Sequence, residues 1–201
     1  MRSNDSKLTW RRQWIAWLVG RRITVSLACF TILIAFNLFV LHLFPLDPLG
    51  LSPLSNLGTG LVLVGIVIRS WAAGTLHKSR ELTQIGPYAL VRNPLYVGSF
   101  LMMFGFCVLL RNWLALAFAV GPMSVLYWYQ VRAEEKNLQK WFPEQWDAYV
   151  ARTGRFLPIR IGGRMLEGWT YRQWLKNREY RACGATIMAI VIVSMWTNSN
   201  T

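Results

Sequence analysis

Long apolar stretches constrain this chain more than any other feature of its sequence. Five of them, none with more than one formal charge, lie at residues 23–44, 57–76, 95–110, 113–129 and 182–196. A helix needs roughly 20 apolar residues to cross the hydrocarbon core of a bilayer, and the first two stretches supply them. Only Arg111 and Asn112 separate the third stretch from the fourth, which predicts a tight helical hairpin. The pattern predicts an all-α, polytopic membrane helix bundle with about five spanning helices.

We expect one integral membrane domain over residues 1–201. Its predicted parts are an interfacial N-terminal helix, a four-span core, a long cytoplasmic segment, and a last span with its tail, at residues 1–22, 23–129, 130–181 and 182–201. The tryptophans of residues 10–18 recur on one face, as in an amphipathic helix at a membrane surface. A second interfacial helix is predicted at residues 167–181. The first apolar stretch is too long for a cleavable signal peptide, so we expect it to remain as a span.

The formal charge of +13 is distributed unevenly along the chain. Six basic residues precede the first apolar stretch, none lies between the first and second, and residues 130–181 hold eleven basic and six acidic residues. By the positive-inside rule, the N-terminus, the loop at 77–94 and residues 130–181 are cytoplasmic. In a bacterium this would be the inner membrane. Membrane lipids with anionic headgroups explain this excess better than a nucleic acid, so we expect no nucleic-acid partner.

The cysteine and histidine residues do not indicate a metal site. Cys29, Cys107 and Cys183 all lie within apolar stretches, as buried free thiols do. His42 and His77 are few and far apart for zinc ligands. We therefore expect no metal.

Arg69 is the one charge inside the second apolar stretch. Such a charge costs about 2.5 kcal/mol or more at the centre of a bilayer. Arg69 precedes the end of its stretch by seven residues, or roughly 10 Å of helix, so its guanidinium could also snorkel to the membrane surface. A structural role and a functional role both remain open.

A polar, turn-rich loop opens directly into the third apolar stretch. Asn93 precedes Pro94 and is therefore disfavoured in helical geometry, so the helix is expected to begin at or just after Pro94. The N–H groups of a helix start, together with Arg92, would favour an anion such as a carboxylate. An ordinary interfacial loop anchored by Tyr88 and Tyr96 would have a similar composition.

Glu134 and Glu135 follow the fourth apolar stretch. Paired acids can simply mark a solvated helix start. The predicted hairpin, however, returns them to the membrane face that carries Arg92 and Tyr96. A ligand with both a carboxylate and a cationic centre would suit such a bipolar site.

The order of these motifs resembles the integral membrane methyltransferases, which include the isoprenylcysteine carboxyl methyltransferases and the phospholipid N-methyltransferases. Their pattern is an Arg-His-Pro-x-Tyr-x-Gly box, an apolar stretch and a Glu-Glu pair. The matching residues are Gly86-Pro87-Tyr88, Arg92-Asn93-Pro94-Leu95-Tyr96-Val97-Gly98, Glu134-Glu135, Leu138, Phe142, Tyr149, Arg155 and Pro158. The resemblance covers roughly residues 65–158.

The resemblance implies methyl transfer from S-adenosylmethionine, with residues 130–181 covering the cofactor. It implies that the cofactor is bound by Leu82, Thr83, Tyr88, Arg92, Asn93, Pro94, Tyr96, Gly98, Glu134 and Glu135. Within that set, Arg92 and Glu135 are the expected catalytic residues. Arg69, Arg132 and Arg155 are expected to hold an anionic acceptor through bidentate contacts.

The chain departs from the family pattern where the box histidine is Asn93. Asparagine forms hydrogen bonds but does not titrate near neutral pH, which favours a cofactor contact over a base at this position. A protonated amine needs a base before it can attack, whereas a carboxylate does not. The expected acceptor is therefore the carboxylate of a prenylated or lipid-like molecule. Trp146 is a second departure, at a position where the family often has tyrosine.

Three other functions remain compatible with the sequence. One is methylation of a phospholipid amine. Another is reduction by a membrane enzyme that resembles the sterol reductases and uses NADPH. The last is a membrane scaffold without catalytic activity.

Overall fold

The computed structural model describes residue 36 and residues 45–77, 81–160 and 163–199. Its helices in these ranges are α1 (Pro53–Thr75), α2 (Pro94–Leu109), α3 (Trp113–Trp141), α4 (Pro143–Arg152), α5 (Tyr171–Lys176) and α6 (Tyr180–Ser199). A 3-10 turn at Gly86–Ala89 precedes α2. The described residues contain no β-strand, so the predicted all-helical class is confirmed.

Three of these helices, α1, α3 and α6, are long and apolar enough to cross a membrane, and α2 is a shorter apolar helix of 16 residues. This confirms the predicted membrane helix bundle. The last apolar stretch forms a helix of 20 residues and is longer than predicted. The predicted first span at 23–44 and the predicted N-terminal interfacial helix lie outside the described residues.

Two glycine pairs bring α1 and α2 into close contact. A Cβ on Gly98 would lie 2.5 Å from the carbonyl oxygen of Gly65, and a Cβ on Gly105 would lie 2.6 Å from that of Gly58. Small residues at a helix interface allow the backbones to approach and pack, which stabilises helix pairs within lipid. Gly60 faces open space within the described structure and takes no part in this contact.

The turn between α2 and α3 reverses the chain as predicted. Arg111 adopts a φ of 50° there, in the left-handed region. The side chain of Asn112 accepts a hydrogen bond of 2.8 Å from the N–H of Ala115 and caps α3. Because the hairpin is tight, the C-terminal end of α3 returns to the face where α2 begins. The two sequence motifs therefore lie on one face of the bundle.

The prediction of a continuous interfacial helix at residues 167–181 is wrong. Tyr171–Lys176 forms a short helix in that stretch, α6 begins at Tyr180, and Arg178 between them has a φ of 57°. The Asn177 side chain donates hydrogen bonds of 2.7 and 2.9 Å to the carbonyl oxygens of Ala73 and Leu76. These contacts hold the elbow between α5 and α6 against the end of α1. Their stabilising effect outweighs the local sequence preference for one continuous helix.

Candidate functional site

The loop before α2 lies against the segment that follows α4. Val91 forms an isolated parallel bridge with Gly154, and the Arg92 N–H donates a hydrogen bond of 2.8 Å to the Gly154 carbonyl oxygen. The hydroxyl of Tyr149 on α4 donates a hydrogen bond of 3.0 Å to the Tyr88 carbonyl oxygen. These bonds enclose the box between α4 and the C-terminal end of α3.

Glu135 is the centre of a buried ion cluster. Its carboxylate accepts hydrogen bonds from Arg92 Nε at 3.1 Å, from Asn93 Nδ2 at 3.0 Å, and from Arg155 Nη2 at 2.7 Å. Arg92 also donates a hydrogen bond of 2.6 Å from Nη1 to the Thr153 carbonyl oxygen. Arg92, Asn93, Glu135 and Arg155 are called the Glu135 cluster below.

Arg92 and Glu135, which were expected to present opposite charges to a ligand, pair with each other in this cluster. A buried pair of this kind stays ionised because its partners satisfy it. The pair fixes the box against α3, and the roles of Arg92 and Glu135 in cofactor binding and catalysis stay predictions. Asn93, which occupies the histidine position of the box, donates a hydrogen bond from its side-chain amide to Glu135.

The three arginines predicted to hold an acceptor lie in two places. The hydrogen bond to Glu135 raises the pKa of Arg155 above its ordinary value, and its guanidinium lies 4.9 Å from the centre of the Trp128 ring. Arg132 is exposed and lies 5.8 Å from the same ring. Arg69 lies elsewhere, on α1, so the structure brings two of the three arginines to one aromatic ring.

Arg69 pairs with an acidic residue that the sequence reasoning missed. Its Nε and Nη2 atoms donate to Glu179 at 2.8 and 3.1 Å, and its Nη1 atom donates to Ser99. Glu179 is buried at the elbow before α6. In the sequence, the only indication of a role for Glu179 is its position just before the last apolar stretch. The pair explains how a charge is accommodated in a spanning helix.

A cavity of about 350 Å³ lies beside this ion pair, between α2 and α6. Arg69 and Ser99 line its polar part, and Met102, Phe106 and Ala185 line its apolar part. Its walls are mostly apolar and belong to the apolar helices α1, α2 and α6, so a lipophilic molecule suits it better than a water-soluble one.

Glu134 has a different environment from Glu135. It accepts a hydrogen bond of 2.7 Å from the Tyr96 hydroxyl on α2 and one of 2.6 Å from Gln130 Nε2. Tyr96 in turn makes an edge contact with Tyr127, at 5.5 Å between ring centres. Gln130 is buried and was not among the predicted site residues. Its position one helical turn before Glu134 was the only signal for it.

The Tyr88 hydroxyl is buried and has no hydrogen-bond partner in the described part of the chain. Burial raises the pKa of Tyr88, with smaller contributions from Tyr149, Glu134 and Glu179, so the hydroxyl stays protonated. A buried polar group without a partner costs about 1–3 kcal/mol. This buried donor is therefore a candidate for a ligand contact.

The remaining predicted cofactor residues make packing contacts. Leu82 packs with Trp146 in an apolar cluster, and Thr83 Oγ1 accepts a backbone hydrogen bond of 3.2 Å from the preceding loop. Pro94 is buried at the start of α2, where proline was expected. Gly98 lies against α1, which requires a glycine there. These contacts support the loop, and direct contact of these residues with a cofactor stays a prediction.

These motifs lie in a segment that is similar to a known family. Residues 55–145 match the family model described as phospholipid methyltransferase. Over these residues, slightly less than half of its length, the chain is similar to the phospholipid methyltransferase family. The matched segment runs from α1 into α4 and contains the box, the hairpin and both glutamates. It does not include Tyr149, Arg155 or Glu179.

Two curated relatives match about half of the chain. The nickel-cobalt-cadmium resistance protein NccN of Alcaligenes xylosoxydans xylosoxydans is 38% identical over 104 residues, which cover 51% of this chain and 47% of the relative. The cobalt-zinc-cadmium resistance protein CzcN of Cupriavidus metallidurans is 33% identical over 110 residues, covering 54% and 49%. The match thus spans about half the length of each relative. No solved structure matches the chain.

The relatives' names refer to metals, so possible metal ligands matter here. Within residues 45–77, 81–160 and 163–199, no group of three or more His, Cys, Asp or Glu side chains could hold a metal ion.

Proposed function

We propose that this protein transfers a methyl group from S-adenosylmethionine to a lipophilic acceptor at the cytoplasmic face of a membrane. The buried Tyr88 hydroxyl carries this proposal, because it has no partner among the described residues and lies in the Gly86-Pro87-Tyr88 motif just before the family's box. The family match over residues 55–145 supports the same reaction class.

The residues present suit the cofactor. The Tyr88 hydroxyl would donate to its carboxylate or to a ribose oxygen. Glu134 and Tyr96 offer oxygen atoms to its ammonium group and would offset its positive charge. When bound, the cofactor supplies an electrophilic methyl group on a sulfonium. The Glu135 cluster would hold the loop that carries Tyr88 in place, without touching the cofactor.

Methyl transfer of this kind is an in-line displacement. The acceptor's nucleophilic atom attacks the methyl carbon, the carbon–sulfur bond breaks with its electron pair retained by sulfur, and S-adenosylhomocysteine leaves. Alignment of the reacting atoms can account for much of the rate. We propose that the chain aligns the acceptor by admitting it from the bilayer through the cavity beside Arg69.

The initial preference for an anionic acceptor loses its main support. Arg69 is paired with Glu179, so its charge is compensated. Arg155 shares the single carboxylate of Glu135 with Arg92, which leaves the Glu135 cluster with a net charge of +1 that is already held within the cluster. The proposal accordingly retains a lipophilic acceptor without requiring it to be anionic.

The test uses the full chain in lipid nanodiscs. Calorimetry should detect binding of S-adenosylhomocysteine, and incubation with tritium-labelled S-adenosylmethionine and membrane lipid should label the lipid extract. Glu134→Ala should weaken binding, whereas Lys140→Ala, on the exposed end of α3, should not. Absence of cofactor binding would contradict the proposal, and competition by NADPH would select the reductase instead.

We also infer that the methylated product contributes to metal tolerance, because both relatives are named for resistance to metals. A host strain that lacks the gene should grow less well on cobalt or cadmium salts. The wild-type gene should restore growth, and the Glu134→Ala gene should not. If both genes restore growth equally, metal tolerance does not depend on methyl transfer.

A further inference from the structure

Gln130 carries a second buried polar atom that lacks a partner in the described structure. Its Nε2 atom donates to Glu134 at 2.6 Å, and its Oε1 atom has no hydrogen-bond partner there. The amide orientation follows from this contact, because the reverse orientation would bring the amide oxygen against a carboxylate. The side chain is 9% exposed, so water does not replace the missing partner freely.

The chemistry of this atom specifies what would satisfy it. An amide oxygen only accepts hydrogen bonds, so its partner must bring an N–H or an O–H. The adjacent Glu134 carboxylate and Tyr96 hydroxyl oxygen also favour a donor over an anion. An ionised carboxylate has no hydrogen to offer and would meet only oxygen atoms at this point.

The position of Gln130 separates it from the predicted cofactor contacts on the loop. It precedes Glu134 by four residues on α3, and lies about 6 Å closer to the middle of the bundle at about 1.5 Å per residue. One turn earlier, Tyr127 packs against Tyr96 and Phe100, with ring centres 5.5 and 5.1 Å apart. This aromatic cluster between α2 and α3 lies one helical turn from Gln130.

We propose that Gln130 determines acceptor specificity, with its Oε1 atom accepting a hydrogen bond from an N–H or O–H group at the reactive end of the methyl acceptor. This proposal rests on the proposed methyltransferase function. It names the acceptor as a lipophilic amine or alcohol, in place of the carboxylate expected from the sequence. The acceptor's nitrogen or oxygen forms the new bond to the methyl carbon, the carbon–sulfur bond breaks with its electron pair kept by sulfur, and the proton that the acceptor loses passes to the Glu134 carboxylate beside Gln130.

The test compares three acceptors with the same chain, hexadecylamine, hexadecanol and hexadecanoic acid, in nanodiscs with labelled S-adenosylmethionine. The wild-type protein should methylate the amine or the alcohol with a kcat/KM at least about tenfold above that for the acid. Gln130→Leu should lower that ratio about tenfold, mainly through the KM of the donor-bearing acceptor. The affinity for S-adenosylhomocysteine should change less than about twofold.

Further variants make the result specific to the amide oxygen. Gln130→Glu keeps an acceptor oxygen and loses the N–H, so it should retain the preference for donor-bearing acceptors. Gln130→Met replaces Gln130→Leu if the latter does not fold. Gln139→Leu, on the exposed face of α3, should leave the ratio unchanged.

Two results would overturn the proposal. One is a wild-type protein that prefers the acid or methylates none of the three acceptors although it binds S-adenosylhomocysteine. The other is a Gln130→Leu protein with an unchanged ratio. A wild-type protein that fails to bind S-adenosylhomocysteine at all would instead refute the proposed methyltransferase function.

Discussion

Tyr88 and Tyr149 both bury a hydroxyl group, but only one of these hydroxyls has a partner among the described residues. The Tyr149 hydroxyl donates to the Tyr88 carbonyl oxygen at 3.0 Å, whereas the Tyr88 hydroxyl has none. Burial raises the pKa of both tyrosines, so each acts as a protonated donor. Substitutions at these two tyrosines can therefore distinguish a loss of ligand binding from a loss of stability.

Tyr88→Phe should leave the folded protein about as stable as before, because no bond to a described residue is lost. It should weaken S-adenosylhomocysteine binding about tenfold, or about 1.4 kcal/mol. Tyr149→Phe should instead lower stability by about 1 kcal/mol, because it leaves a buried carbonyl oxygen without this donor. Calorimetry and thermal unfolding in detergent measure both effects. Equal binding losses in the two variants would argue against a ligand contact at Tyr88.

The adjacent glutamates should also respond differently to the same substitution. Glu135→Gln leaves the guanidinium groups of Arg92 and Arg155 without their anion, and breaking a buried ion pair costs about 3–5 kcal/mol. Glu134→Gln should leave the thermal midpoint nearly unchanged and weaken cofactor binding. Thermal unfolding and calorimetry on the two variants test this division. If the Glu135→Gln protein is stable but loses cofactor affinity, Glu135 contacts the cofactor and the division between the two glutamates is wrong.

At the scale of elements, the contact between α1 and α2 positions the box. Arg69 on α1 reaches Ser99 on α2, and the paired glycines set how closely the two helices approach. A larger side chain at the interface would push the helices apart, because interiors are closely packed.

Gly65→Val should therefore destabilise the protein by about 1–3 kcal/mol and reduce methyl transfer. Gly60→Val is the control: it places the same side chain on the same helix, where no described residue lies within 4 Å of the added Cβ. It should change stability by less than about 0.5 kcal/mol. Thermal unfolding of the two purified variants measures the difference, and similar midpoints would contradict close packing at Gly65.

At the scale of the whole molecule, the connecting segments fall on two opposite faces. The Leu46 N–H donates to the Leu109 carbonyl oxygen at 2.7 Å, which places the loop before α1 beside the hairpin turn. The box, the end of α3 and the elbow before α6 lie on the other face. The distribution of basic residues predicts that this second face is cytoplasmic.

Cysteine labelling tests this orientation in a background without the native cysteines. Leu51→Cys, at a side chain that is 92% exposed, should react with a membrane-impermeant maleimide in intact spheroplasts. Lys140→Cys, also at an exposed position, should react only after lysis. The reverse pattern would invert the topology. Labelling of both from the same side would contradict the arrangement of the hairpin.

The sequence by itself determined the helical class, the hairpin and the order of the motifs. These depend on local properties: the length of an apolar stretch, a proline at a helix start, and two polar residues between apolar runs. The start of α2 at Pro94 and the turn at Arg111 and Asn112 were predictable for that reason. The resemblance to the methyltransferase family followed from the same ordered motifs.

Only the tertiary structure decided which charged groups pair and which polar atoms remain for a ligand. Arg69 pairs with Glu179, which is 110 residues away along the chain, and Arg92 pairs with Glu135 rather than with Glu134. Sequence spacing does not contain this information, because a pairing depends on which helix faces meet and how closely they pack. The same packing leaves Tyr88 and Gln130 each with a buried polar atom that no described residue satisfies.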